Sequence, residues 1–239
     1  MIAVMNNMNN LNKYLPVALL VLLVSGIIFY GLNTGIYRKR VAGSQVTGGF
    51  ALPVKLSDLG RQLVDNGTID KEKFLALYTA DPVAQEFARQ LLEEKIKGVE
   101  ITAENQAVLL NYFWALGLAS KNEILEKGPM MDERYGGAGG FASTGGWTIA
   151  VGQPMDHYSH HAMIKLTPEQ QAAVEQASKN IFRPCCSNPA YFPDCNHGMA
   201  MLGLLELMAA QGGDVAELKA VGERVNSYWF PGYSPGCAV

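Results

Sequence analysis

AENQAVLLNYFWALGLAS, Ala103–Ser120, is the stretch that sets the fold class of this chain. Wound at about 3.6 residues per turn, Leu109, Leu110, Tyr112, Phe113, Trp114 and Leu116 spread round the whole helix and leave little polar face. A helix apolar all round belongs in the middle of a core, covered by other helices. Thr102, just ahead, is read as its N-cap.

Toward the C-terminus a second such segment follows, MAMLGLLELMAAQG, Met199–Gly212. At about 1.5 Å per residue it is too short for roughly 30 Å of hydrocarbon, so it reads as another core helix. Met199, Met201 and Met208 fill the core, and Glu206 is expected on its one exposed edge.

Amphipathic helices with start signals surround this pair. Asp81 followed by Pro82 is an N-cap with a first-turn proline; Val83, Phe87, Leu91, Leu92 and Ile96 then form one apolar face that Gly98 closes. IDKEKFLALYTA, Ile69–Ala80, suggests a shorter helix before it. Thr167, Pro168 and Gln170 supply a cap, a first-turn proline and a box partner for a helix running to about Phe182. Asp214 with Glu217 starts the final helix, which ends before Pro231. No segment sustains period-two alternation and no Asn-Gly or Asp-Gly hairpin joins two strand-like runs. The predicted class is mainly α, without internal repeats.

The N-terminal region has a different character. Between Lys13 and Arg38 no residue is charged, and YLPVALLVLLVSGIIFYGL, Tyr14–Leu32, is long enough to cross a bilayer. It exceeds the ~7–15 apolar residues of a cleaved signal peptide, which favours an uncleaved anchor. The expected organisation is a tail over 1–13, a single transmembrane anchor over 14–37, a Gly/Ser/Pro-rich linker over 38–56 and a helical domain over 57–239. Arg38, Lys39 and Arg40 after the span pull the domain toward the cytoplasm, but that rule weakens when a long domain follows. Clustered Cys, His and Met suit an oxidising or metal-exposed compartment, so the domain is expected outside the cytoplasm, on a single-pass membrane protein. Net charge is −3, and scattered Lys and Arg form no basic face, which excludes a nucleic-acid partner.

Two segments carry candidate chemistry. Gly128–Met163 is a long Gly-rich loop in which Gly137, Gly139 and Ala142 have the spacing of a dinucleotide fingerprint. No strand precedes them and no Lys-Ser or Lys-Thr follows, so the stretch reads as a loop over the core, with Trp147 burying its ring to pin it. It ends in MDHYSHHAM, where His157, His160 and His161 are secondary candidates for metal ligation, flanked by Met155 and Met163.

RPCCSNPAYFPDCNHG, Arg183–Gly198, is the principal candidate. Cys185, Cys186, Cys195 and His197 offer three sulfurs and an imidazole, a complete tetrahedral set, next to the start of the apolar helix. Zinc knuckles usually separate paired cysteines by about two to four residues, whereas these are contiguous; Cu(I) accepts two or three soft donors and is less demanding. The expected ligand is therefore Cu(I) or Zn(II), held for sequestration, delivery or sensing. Two other arrangements compete: a disulfide from Cys195 to one of the vicinal pair, leaving Cys237 for the other, in a stapled structural or interaction domain; or a catalytic Cys195–His197 thiolate and base, against which their spacing of two argues.

Overall fold

A computed structural model describes residues 48–232 of the chain. The expected anchor, the N-terminal tail, most of the linker and Cys237 lie outside those residues. Among the described residues no helix is long and apolar enough to cross a membrane.

The fold is mainly helical, as expected, and it is built round one pair of helices. Helices α1 (Leu59–Asp65), α2 (Lys71–Ala76) and α3 (Pro82–Glu93) precede the central α4 (Gln106–Ala119); α5 (Glu123–Lys127), α6 (Ala142–Gly145) and α7 (Pro168–Ser178) lead to α8 (Asn196–Ala210) and α9 (Val215–Trp229). The two all-apolar segments are α4 and α8, and they make the most extensive helix–helix contact. They approach so closely because each carries a glycine at the crossing. A Cβ on Gly117 would collide with the Met199 carbonyl, and one on Gly203 with the backbone of Phe113 and Gly117. Helices α7 and α9 pack against α8.

The caps behave as their chemistry dictates. Asp81 accepts from Val83 N and Ala84 N at the start of α3. Thr167 and Gln170 exchange both bonds of a capping box at α7, and Asp214 accepts from Glu217 N at α9. Lengths and faces differ more. Helix α3 stops at Glu93 rather than near Gly98, and buries Ala84, Ala88, Leu91 and Leu92 while Val83 is 76 % exposed. Phe87, Leu91, Leu92 and Ile96 do lie in or against the core, and Gly60 of α1 lets the Leu91 backbone come close. Helix α4 starts at Gln106 with Asn105 as N-cap; Thr102 Oγ1 instead accepts from Glu104 N and Asn105 N in the preceding turn. Helix α7 ends at Ser178, and Phe182 pairs with Pro189 instead of extending it.

Three corrections concern residues given other roles by sequence. Residues 50–56, assigned to the linker, belong to the folded unit: β1 (Phe50–Leu52) pairs antiparallel with β2 (Val99–Ile101), and Leu52, Val54 and Leu56 enter the core. The Gly-rich stretch is a chain of tight turns rather than a structureless loop, with 3-10 segments at Pro129–Met131, Glu133–Tyr135, Ala138–Gly140 and Pro154–Asp156. Trp147 does pin it: its ring is buried, its Nε1 donates to Thr68 O at 2.7 Å, and it meets Trp114 edge-on at 4.9 Å.

Glu206 is the third. It is 0 % exposed, and neither carboxyl oxygen has a partner, so it lies inside α8's buried surface and not on an edge. Burial pushes its pKa well above the ordinary 4.5. The native state therefore holds a proton that the unfolded chain releases above pH 4.5, and Glu206 costs stability increasingly as pH rises through that window. Glu206→Gln removes the titration while keeping the shape. Unfolding curves at neutral pH should show it more stable than wild type by about 1–3 kcal/mol, with the two chains converging near pH 4. A constant difference across pH would contradict the buried-carboxyl account.

Candidate metal centre

The Cys segment is wrapped round one buried cation, Arg183, which is 1 % exposed. Its Nη1 donates to Cys195 Sγ at 2.7 Å and lies 2.7 Å from Asp194 Oδ1. Nη2 donates to Phe192 O at 2.7 Å and Pro189 O at 3.3 Å, and Nε to Asn188 O at 3.3 Å. Asn188 Nδ2 in turn donates to Asp194 Oδ2 at 2.9 Å. A guanidinium offers donors in a rigid planar fork, so this single group fixes three loop carbonyls, a carboxylate and a sulfur relative to one another.

Glycine makes room for it: a Cβ on Gly198, in the first turn of α8, would lie 2.8 Å from Arg183 Nη1 and 3.0 Å from Pro193 Cα. The backbone closes the loop with Arg183 N donating to Asn188 O at 3.1 Å and Ser187 N to Arg183 O at 2.9 Å. Ser187 adopts a left-handed φ of 55°, the sharp turn needed for adjacent cysteines to serve one point. The Gly-rich stretch braces the outside, through Ser143 N donating to Asp194 O at 3.1 Å and an aromatic cluster of Tyr135, Phe141 and Phe192.

As a result the sulfurs of Cys185, Cys186 and Cys195 all lie within 4.8 Å of one another, and among the described residues this is the one grouping of three metal-capable side chains so close. Cys185 and Cys186 Sγ are 3.6 Å apart. Two sulfurs about 2.3 Å from one ion at tetrahedral to trigonal angles stand roughly 3.8–4.0 Å apart, so the vicinal pair needs only a slight adjustment. Cys185 and Cys186 are exposed and Cys195 is half-buried at the N-cap of α8, where the helix presents the positive end of its dipole. Burial pushes the Cys185 thiol up to about 12, with the Cys186 and Cys195 sulfurs adding and Arg183 opposing. Three thiolates this close repel unless a cation joins them, and coordination to an ion removes the protons.

His197, expected as the fourth donor, is outside this group. Its Nδ1 faces Asn196 Oδ1 at 2.9 Å and its ring stacks on Phe230 at 4.3 Å, fastening the start of α8 to the end of α9. Burial, then the positive Arg183, lower its pKa to about 4. Among the described residues the set therefore holds three donors rather than four, and His197 makes no hydrogen bond to Cys195 of the kind a catalytic pair requires. No disulfide links the three cysteines of the described residues. Met199, the nearest methionine, is fully buried against Gly117.

His157, His160 and His161 form a separate cluster strapped to the end of α4, where Ser159 N and His161 N each donate at 2.8 Å to Leu118 O and Ala119 O. His157 Nδ1 faces His161 Nε2 at 3.1 Å. Burial, followed by the neighbouring His157 and His160, lowers the His161 pKa.

Sequence reasoning did not single out Arg183, Asp194 or Gly198. Their signal was their position inside the Cys loop: a charged pair bracketing it and a glycine directly after His197. No protein-family model matches the chain, and no curated protein or solved structure matches it.

Proposed function

We propose that the chain is a membrane-anchored metal-binding protein whose Cys185, Cys186 and Cys195 hold a thiophilic ion, Cu(I) or Zn(II), for sequestration, delivery or sensing. The observation that carries this is the convergence of three sulfurs within 4.8 Å on a loop organised by Arg183. A set of three sulfurs suits Cu(I) best, since Zn(II) takes a fourth donor to complete its tetrahedron. The exposed vicinal pair can pass the ion on by ligand exchange, while Cys195 keeps its hydrogen bond to Arg183. Anchoring through residues 14–37, with the domain on the extracytoplasmic side, rests on the uncharged run and on the compartment that suits soft donors.

Titration with Cu(I) and with Zn(II), combined with elemental analysis of the purified full chain, tests the proposal. One tightly bound Cu(I) per chain is expected, with occupancy falling as pH drops because the thiols must first lose their protons. Cys186→Ser and Cys195→Ser should abolish stoichiometric Cu(I) binding, whereas His197→Ala should leave it in place. Failure of the wild-type chain to bind either ion, with its thiols reduced, would overturn the proposal. Mass-spectrometric detection of Cys195 oxidised to a partner cysteine would favour the stapled structural domain instead.

A further inference from the structure

The geometry points to a second metal site, chemically distinct from the sulfur cluster, in which His157 and His161 bind a borderline divalent cation such as Zn(II). The argument begins with the tautomer of His157. Its Nε2 lies 2.8 Å from Val151 O, and a carbonyl only accepts, so Nε2 carries the proton and the Nδ1 lone pair of the neutral ring points away from it. A ligating histidine is characteristically oriented this way, with one nitrogen donating to a backbone carbonyl and the other offered to the ion.

That orientation is built in by the surrounding backbone. Val151 is held by its own N–H, which donates to Gly67 O at 2.9 Å. Gly67 has φ +80°, and a Cβ there would stand 3.3 Å from His157 Cε1 and 3.4 Å from Val151 Cβ. His157 itself is 6 % exposed, so its ring is set by packing.

The offered lone pair meets a second imidazole. His161 Nε2 is 3.1 Å from His157 Nδ1, the rings 30° apart in plane with centroids at 5.4 Å. Two nitrogens about 2.0–2.1 Å from one ion, at angles between square-planar and tetrahedral, stand roughly 2.9–3.4 Å apart, which brackets the observed spacing. The ion replaces the proton between the rings: His161 turns its Nε2 lone pair toward the shared point, and its proton moves to Nδ1. His161 is only part-buried and has room for that turn, while its backbone is fixed by the bridge to Ser120.

His160 lies beside the pair without joining it as a third close donor. Its ring centroid lies 5.2 Å from that of His161, in an edge arrangement, and its backbone N–H closes a turn onto His157 O at 3.1 Å. All-nitrogen donors suit Zn(II), Cu(II) and Ni(II), whereas the three sulfurs suit Cu(I), so the two sites divide metals by softness. The inference is independent of the sulfur reading.

Zn(II) titration by calorimetry of the full chain, in wild type and in His161→Gln, His160→Gln and Cys195→Ser, separates the two sites. Glutamine at 161 keeps an N–H for His157 Nδ1, so that variant should retain the wild-type fold by circular dichroism. The expected result is a Zn(II) equivalent that survives Cys195→Ser and weakens by roughly tenfold or more in His161→Gln, with little change in His160→Gln. Zn(II) uptake in Cys195→Ser that is unchanged by His161→Gln, or absent altogether, would overturn the second site and leave His157 and His161 as a hydrogen-bonded pair alone. Loss of uptake in wild type confined to Cys195→Ser would uphold the sulfur site and refute this one.

Discussion

Arg183→Met is expected to destabilise the domain by about 3–5 kcal/mol and to disperse the three sulfurs, the largest effect of any single change in the Cys segment. The guanidinium is buried, and its removal leaves the Asp194 carboxylate without its counter-charge and the Pro189, Phe192 and Asn188 carbonyls without their side-chain donor. Each group buried without a partner costs about 1–3 kcal/mol, so the pieces sum to the scale of a broken buried ion pair. Arg183→Lys should fall between wild type and Met, because an ammonium is a point charge and cannot reach all sides of the loop at once. Urea unfolding measures the stability, and Cu(I) affinity reports whether the sulfurs still converge. A Met variant with wild-type stability and wild-type affinity would remove Arg183 from its organising place.

The same residue marks a limit of reading structure from sequence. A lone arginine in a loop is assigned to solvent by its charge, and the carbonyls that make burial tolerable converge on it only after the loop has closed. Cys185, Cys186 and Cys195 were legible as one site, since sulfur is rare in this chain and the segment gathers it. His197 was included because it is near in sequence. Two residues along a helix rotate a side chain by roughly 200°, so it faces α9 while Cys195 faces the loop.

Elements with local signals were read well, because a cap is a contact between residues two or three apart. Asp81, Thr167 and Asp214 needed no tertiary information. Where burial is decided by tertiary packing, local pattern falls short: Val83 at the start of α3 has an apolar side chain, yet it is left exposed while Leu91 and Leu92 of the same helix are buried. The charge of Glu206 assigns it to the outside, although a helix apolar all round gives no orientation to read. Strand β1 is hidden in the sequence for a different reason. Phe50, Leu52, Val54 and Leu56 alternate with Ala51, Pro53, Lys55 and Ser57, but the run has glycines before it and a proline within it, features that also describe a linker.

Gly203→Ala should be strongly damaging despite its small size. Alanine normally stabilises a helix by about 0.5–1 kcal/mol over glycine, through lower entropy in the unfolded chain. At 203 the added methyl meets main chain rather than a flexible side chain: the Phe113 carbonyl and the backbone of Gly117. Neither can rotate aside, so α4 and α8 must separate and lose contacts along their length. Overpacking typically costs about 1–3 kcal/mol, and a clash against fixed backbone belongs at or above the top of that range. The melting temperature should fall by roughly 2–4 °C for each kcal/mol in a domain of this size. Gly98→Ala is the matched control, because a Cβ there meets nothing within 4 Å and the backbone is not in the left-handed region. It should leave the melting temperature unchanged or slightly raised. If both alanines melt alike, the glycine crossing is not what holds the two central helices together.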